Sequence, residues 1–229
     1  MRLARTAALT TALIGLFAVA AYVGASPITT LFNTGVGSAG VPLPDNTLGD
    51  PHYLLVAVPP GSVSDLRIRT SVSGYPIPPY VGDNALSAWI GPNNDALLDG
   101  YAGIFQYRTT FDLTGYDPSS ATIAGLWSTD NDGVDILING ASLGFVTPFE
   151  GFRDFYPFAV TTGFVAGANT LDFLVHNLSG IWTDPTALRV AVTGTANPLP
   201  AFVPEPATLA LLGLGLIGLA ASRRPLWKA

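Results

Sequence analysis

Four oxygen-bearing side chains crowd one short stretch: Asp130, Asn131, Asp132 and Asp135. Calcium takes about six to eight hard oxygen ligands and favours irregular loops, so this group is a candidate calcium site. The stretch lacks the glutamate that closes an EF-hand loop. Asp and Asn also favour turns with no metal bound, so a solvated turn explains the same residues. His52 and His176 are the two histidines. No nucleophile-elbow motif surrounds any serine, so a Ser–His–Asp constellation has no sequence support beyond the residue types. A glycosidase would need two carboxylates across a cleft. Glu150 is the one glutamate of the central region, and aspartates are too plentiful there for any pair to stand out. Aromatic rings can stack on sugar faces. Trp182, in the loop-like stretch Ser179–Asp184, and Trp89 are candidate sugar contacts, Trp89 reading equally as a plug at one end of the sandwich; Trp127 alternates in phase with Ile123, and burial in the core is the default reading for all three.

The elements that must position these residues are strands. Alternation of apolar and polar residues marks Tyr53–Val58, Leu66–Val72, Ile104–Leu113, Ala121–Trp127, Val134–Ile138, Leu171–Asn177 and Leu188–Gly194. In the third of these, Phe105, Tyr107, Phe111 and Leu113 fall on one face and Gln106, Arg108, Thr110 and Asp112 on the other. Asn139-Gly140 is a type I′ hairpin signal, because both central residues of that turn need positive φ. Asp132-Gly133 reads as a second turn, and Asp117-Pro118-Ser119 and Gly167–Thr170 as others. The stretch from Thr29 to Gly49 is rich in Gly, Pro and Asn and reads as irregular. Short strands broken by frequent turns predict an all-β fold, a β-sandwich or jelly roll.

Composition narrows the function classes. The chain has 229 residues, no cysteine, and a 48% hydrophobic content against 11% charged. Mean hydropathy is +0.41, and the excess sits at the two ends. Between residues 26 and 203 there are five arginines, no lysine and fifteen acids, a formal charge of −10. Nucleic acid is excluded as a partner, since phosphate binding needs clustered Lys and Arg. Disulfides, thiolate metal sites and cysteine nucleophiles are excluded outright.

The N-terminus has Arg2 and Arg5 followed by an apolar run from Thr6 to Gly24. That is the layout of a secretory signal peptide over residues 1–25, with cleavage between Ala25 and Ser26. The C-terminus runs Pro204-Glu205-Pro206, an apolar helix over 207–221 expected to sit in the membrane, then Arg223 and Arg224. Proline at 206 suits a helix start, and the basic cluster would stay cytoplasmic. At about fifteen apolar residues the helix is short for a span of roughly twenty, a mismatch that bilayer thinning and flanking residues can absorb. Gly213, Gly215 and Gly218 spell G-x-G-x-x-G inside it. A dinucleotide site needs a strand before the motif and a βαβ unit around it, and here the chain ends. The glycines instead slim a helix for packing.

This ending resembles the PEP-CTERM sorting signal: tripeptide (Pro204, Glu205, Pro206), short Gly/Leu-rich helix, basic cluster. The resemblance implies a Gram-negative bacterium that makes extracellular polysaccharide. It also implies recognition at the inner membrane by exosortase, a membrane-embedded cysteine transpeptidase. From about residue 86 the central region resembles galactose-binding-like jelly rolls, accessory sugar-binding modules of glycosidases. The residues that carry this are Trp89–Pro92, Tyr107–Leu113, Thr129–Gly133, Ile138–Gly140, Leu143-Gly144, Gly167–Phe173 and Val175–Asn177. The expected organisation is therefore a signal peptide at 1–25, a β-sandwich at 26–196, a tether at 197–203 and a sorting signal at 204–229. The expected function is that of a non-enzymatic surface or matrix protein, with exosortase as partner and a neutral polysaccharide as ligand. Calcium at the aspartate stretch is the one cofactor entertained. The alternative is an exported hydrolase with a jelly-roll catalytic domain.

Overall fold

The computed structural model describes residues 24–62, 64–69, 79–82, 84–93, 101–178, 185–200 and 207–222. Two antiparallel sheets face each other across one core. The first has β3 (Arg67–Arg69), β4 (Trp89–Gly91), β11 (Ala187–Pro198), β6 (Tyr116–Asp130) and β9 (Tyr156–Val160) in that order, with β1 (Ser26–Pro27) also paired to β11. The second has β2 (Tyr53–Ala57), β5 (Gly103–Asp112), β10 (Ala168–Asn177), β7 (Asp132–Ile138) and β8 (Ala141–Ser142). From β4 on, the chain crosses between sheets at nearly every step, so paired strands are distant in sequence. That wrapped, non-local pairing is the pattern of a jelly roll.

The core follows from strand alternation. Ile123, Trp127, Leu188, Val190 and Phe158 point inward from the first sheet, and Phe105, Tyr107, Phe173, Val175 and Ile136 from the second. Trp127 and Phe173 lie 5.9 Å apart, ring centre to ring centre, and Phe158 meets Phe173 edge-on at 5.8 Å. The predicted strands all appear, some with shifted ends; residues 70–72 of the one expected at Leu66–Val72 lie outside the described residues. β6 is longer than its apolar alternation because it begins at Tyr116, where Asp117 accepts hydrogen bonds from the Ser119 backbone and hydroxyl inside the strand. The register of β11 shifts there, between Thr195 and Asn197.

Four strands carry no sequence signal. β1 and β8 are two residues long. β4 is buried at every residue and so does not alternate. β9 contains Pro157, which reads as a break but is tolerated on the sheet edge where β9 lies.

The Asn139-Gly140 hairpin forms as expected, with φ of 51° and 83°. Asp132-Gly133 is not a turn; both residues lie in β7. Gly133 is there because a Cβ would stand 2.2 Å from the Trp127 ring. The Thr29–Gly49 stretch is irregular but anchored. The Thr34 hydroxyl donates to the Ala88 carbonyl (2.8 Å) and accepts from the Val190 amide (2.9 Å). Asp50 accepts from the amides of Gly35, His52 and Tyr53. Burial pushes the Asp50 carboxyl up, against those three donors, which pull it down.

The expected signal peptide lies outside the described residues up to position 23. Ala25 is exposed, and Ser26 opens β1 opposite Ala196. The C-terminal helix, α1 (Ala207–Ser222), is 16 residues long. At about 1.5 Å per residue it reaches about 24 Å, short of a hydrocarbon core of about 30 Å. Among the described residues no helix is long and apolar enough to cross a membrane, which corrects the expectation of a transmembrane helix over 207–221.

Gly133→Ala is expected to destabilise the sandwich by about 1–3 kcal/mol or more, the cost of overpacking a rigid core. Chemical denaturation at constant m-value measures it. A neutral effect would mean that the Trp127 ring has room to move.

Candidate functional site

The four residues of the aspartate stretch do not converge. Asp130 ends β6 and Asp132 begins β7, so the chain passes from one sheet to the other between them. By alternation Asp130 faces outward from the first sheet, where it accepts hydrogen bonds from the Tyr80 hydroxyl and from Asn131 Nδ2. Asn131 is buried, and its Oδ1 accepts the Leu178 amide at 2.8 Å. Asp135 faces outward from the second sheet and accepts the amides of Ile136 and Gly144 and the hydroxyl of Ser142. Asp132 lies 3.5 Å from His176 Nδ1. Thus Asp130 and Asp135 serve opposite faces of the sandwich. Among the described residues no group of three or more His, Cys, Asp or Glu side chains is placed to hold a metal.

Trp89 is not a surface platform. By alternation it points outward from β4, yet it is fully buried beneath a second, smaller cluster with Tyr80 and Ala187. Its indole N–H donates to the Val81 carbonyl at 3.0 Å, Tyr80 meets its ring edge-on at 5.3 Å, and Phe152 stacks on Tyr80 at 4.5 Å. Arg189, equally buried on β11, stitches this layer down. Its guanidinium donates to the carbonyls of Gly82 (2.7 Å) and Ser87 (2.9 Å) and to the Ser87 hydroxyl (3.0 Å). Trp182 lies outside the described residues.

No sequence pattern marks Tyr80 or a buried Arg189. Tyr80 lies in a Pro-rich stretch without period. Arg189 falls on the outward phase of Leu188–Val192, where a charged residue reads as solvent-exposed, so its burial was not legible. The acids seen with partners are occupied architecturally: Asp172 with Arg108 (2.6 and 3.0 Å), Glu150 with Arg153 (2.7 and 2.8 Å), Asp112 with Thr114. The bidentate Arg153 fork holds the Glu150 carboxyl below its ordinary range. His52 stacks flat on Phe32 at 3.6 Å.

At the other end of the chain, among the described side chains of α1, Leu211, Leu214 and Ile217 are strongly exposed. A helix apolar all round belongs in an apolar medium. Gly213, Gly215 and Gly218 lie in mid-helix with open space around them, not at a strand-to-helix turn, so no phosphate cradle forms. Pro204, Glu205, Pro206, Arg223 and Arg224 lie outside the described residues.

A family model described as the PEP-CTERM protein-sorting motif matches residues 202–224. No curated protein matches the chain. Among solved structures it is similar to CBM35 from Paenibacillus barcinonensis, at 14% identity and a TM-score of 0.33, over 64% of this chain and 96% of that one. It is also similar to an exo-beta-1,3-galactanase from Phanerochaete chrysosporium, at 12% identity and a TM-score of 0.29, over 67% of this chain and 30% of that one. Neither likeness specifies a ligand or an activity for this chain.

Two outcomes are expected. Trp89→Ala should destabilise the fold by about 3–5 kcal/mol, as for a fully buried aromatic side chain; survival with altered ligand binding would mean that the ring is accessible after all. Chelation with EDTA should leave the melting temperature of the protein unchanged. A calcium-dependent rise would show that the domain holds a metal site after all.

Proposed function

We propose that this chain, which carries a PEP-CTERM sorting motif, is an exported, non-enzymatic protein that exosortase processes at the inner membrane of a Gram-negative bacterium. The sandwich is the part displayed outside the cell or in its matrix, where it binds a neutral polysaccharide. The observation that carries the sorting reading is the motif at 202–224 placed directly after a folded domain. β11 holds hydrogen-bonded structure as far as the Leu199 amide, which donates to Gly115 at 2.8 Å. Only four residues lie between Leu199 and Pro204. The exposed apolar α1 then supplies a lipid-seeking segment at the membrane, too short to cross it by itself.

The non-enzymatic reading is supported by how the acids are used. A glycosidase needs two carboxylates free to exchange protons with substrate. Here Asp50, Asp112, Asp135, Asp172 and Glu150 are each occupied in a hydrogen bond or ion pair that shapes a loop or a sheet. The polysaccharide reading draws support from the resemblance to galactose-binding-like jelly rolls and from the acidic balance of the domain, which repels acidic polymers.

Intact-mass analysis of protein recovered from the surface of exosortase-positive cells checks the sorting reading. The mature species should begin at Ser26 and lack the segment after about Pro206. With Pro204, Glu205 and Pro206 all replaced by alanine, the full tail should stay attached in the inner-membrane fraction. Surface material with an intact C-terminus would overturn the reading.

A further inference from the structure

The bond expected to be cut on export, Ala25–Ser26, lies at the edge of the folded domain. Gly24 and Ala25, on its N-terminal side, are exposed. The residues on its C-terminal side are built into the first sheet. Ser26 is opposite Ala196 and Pro27 opposite Thr195 on β11. The Ile28 amide donates to the Gly194 carbonyl at 2.9 Å, and the Tyr116 hydroxyl donates to the Pro27 carbonyl at 3.1 Å. Two residues on, the Thr30 hydroxyl accepts the Asp112 amide at 2.9 Å.

A two-residue strand at a chain end would fray by itself. This one is pinned by Ile28, which is 4% exposed and belongs to the main core. Its side chain fills the space over Gly194, where a Cβ would stand 2.9 Å from Ile28 Cδ1. Freeing residues 26–28 therefore means lifting a buried isoleucine out of the core.

We propose that hydrolysis of the Ala25–Ser26 bond precedes closure of the sandwich, and that the strand it releases, β1, then docks as the latch on β11. The inference rests on the signal-peptide part of the reading above and adds the order in which its steps occur. In the hydrolysis the hydroxyl of water adds to the Ala25 carbonyl carbon, the C–N bond breaks, and the proton of that water goes to the Ser26 nitrogen. A peptidase holds its substrate extended through main-chain hydrogen bonds, as an added strand. Its cleft must close around the bond, and in the folded domain β11 already lies against the C-terminal side.

The chain order leaves time for the cut. β1 is the first strand and its partner β11 the last of the sandwich. At about 5–20 residues per second, synthesis puts roughly ten seconds or more between Ser26 and its partner Ala196. Until then residues 26–28 have no strand to pair with. Contacts so far apart in sequence are also slow to form once both partners exist.

The test is digestion of the purified full chain, in detergent, by a bacterial signal peptidase, with the products read by intact mass. The reference is the full chain carrying Phe173→Asp, which places a charge at a fully buried position and unfolds the sandwich. The reference should be cut between Ala25 and Ser26. The folded wild-type chain should be cut at least about tenfold more slowly, because cleavage then tracks the fraction of molecules in which β1 is open. Gly194→Val, remote in sequence from the scissile bond, crowds Ile28 out of its place and should speed cleavage of a chain that still melts cooperatively. Hydrogen exchange decides without any variant: the Ile28 amide of the folded full chain should be protected and the Ala25 amide should not. Equal cleavage of wild type and reference would overturn this inference alone. So would an Ile28 amide that exchanges as fast as that of Ala25, or a cooperatively melting Gly194→Val chain cut no faster than wild type. A Phe173→Asp chain left whole would overturn the signal-peptide reading itself, and this inference with it.

Discussion

The spacing of the two sheets depends on one contact, the Trp127 indole lying where any side chain at position 133 would be. Trp127 comes from β6 in the first sheet and Gly133 from β7 in the second, only a few residues later in the chain. A Cβ at 133 would overlap three ring atoms, the closest at 2.2 Å. The missing side chain lets a large flat ring reach across the sandwich and meet Phe173 on β10. Protein interiors are packed like crystals, so that local vacancy sets the distance at which both sheets settle. The corner at 130–132 is the same contact seen from the chain's path: the strand that brings in the tryptophan must turn at once into the strand that makes room for it.

How much of this was legible follows from the physics of each element. Strands with one wet and one dry face, such as β5 and β10, show period-two alternation and were readable residue by residue. β4 was not, because its outward face is covered by Tyr80 and Phe152, and a strand dry on both sides has no alternation to show. The same cover buries Trp89, as its default core reading expects, but under neighbours from a segment without periodicity that no local window could name. Gly133 was read as turn chemistry because Asp-Gly is a turn dipeptide, whereas the glycine answers a long-range steric demand that no local window contains. The Asn139-Gly140 hairpin was legible because its demand is local, two residues at positive φ. The sorting motif was the most legible of all, since its parts are contiguous in sequence.

The acidity of the domain also changes meaning with structure. In the sequence, aspartates in number suggest metal or catalysis. In the fold, they substitute for regular hydrogen bonding wherever the backbone leaves a sheet. Asp50 gathers three amides of an irregular segment, Asp135 holds the end of a hairpin, and Asp112 and Asp117 cap tight bends at strand ends. A chain without disulfides must fix its loops by other means, and carboxylates accepting several N–H bonds do so with charge-assisted strength.

The way β11 leaves the domain has a mechanical consequence. The strand is interior to its sheet, paired to β6 along nearly its whole length and to β4 and β1 on the other side. It ends at Pro198, so anything attached beyond that point pulls along the strand's own axis. Hydrogen bonds between antiparallel strands lie perpendicular to that axis. A pull therefore loads the whole ladder in shear at once, instead of opening it bond by bond from one end. With Ser26 latched beside Ala196, β1 braces the last strand against the same load. The sandwich is built to be hung from its C-terminus.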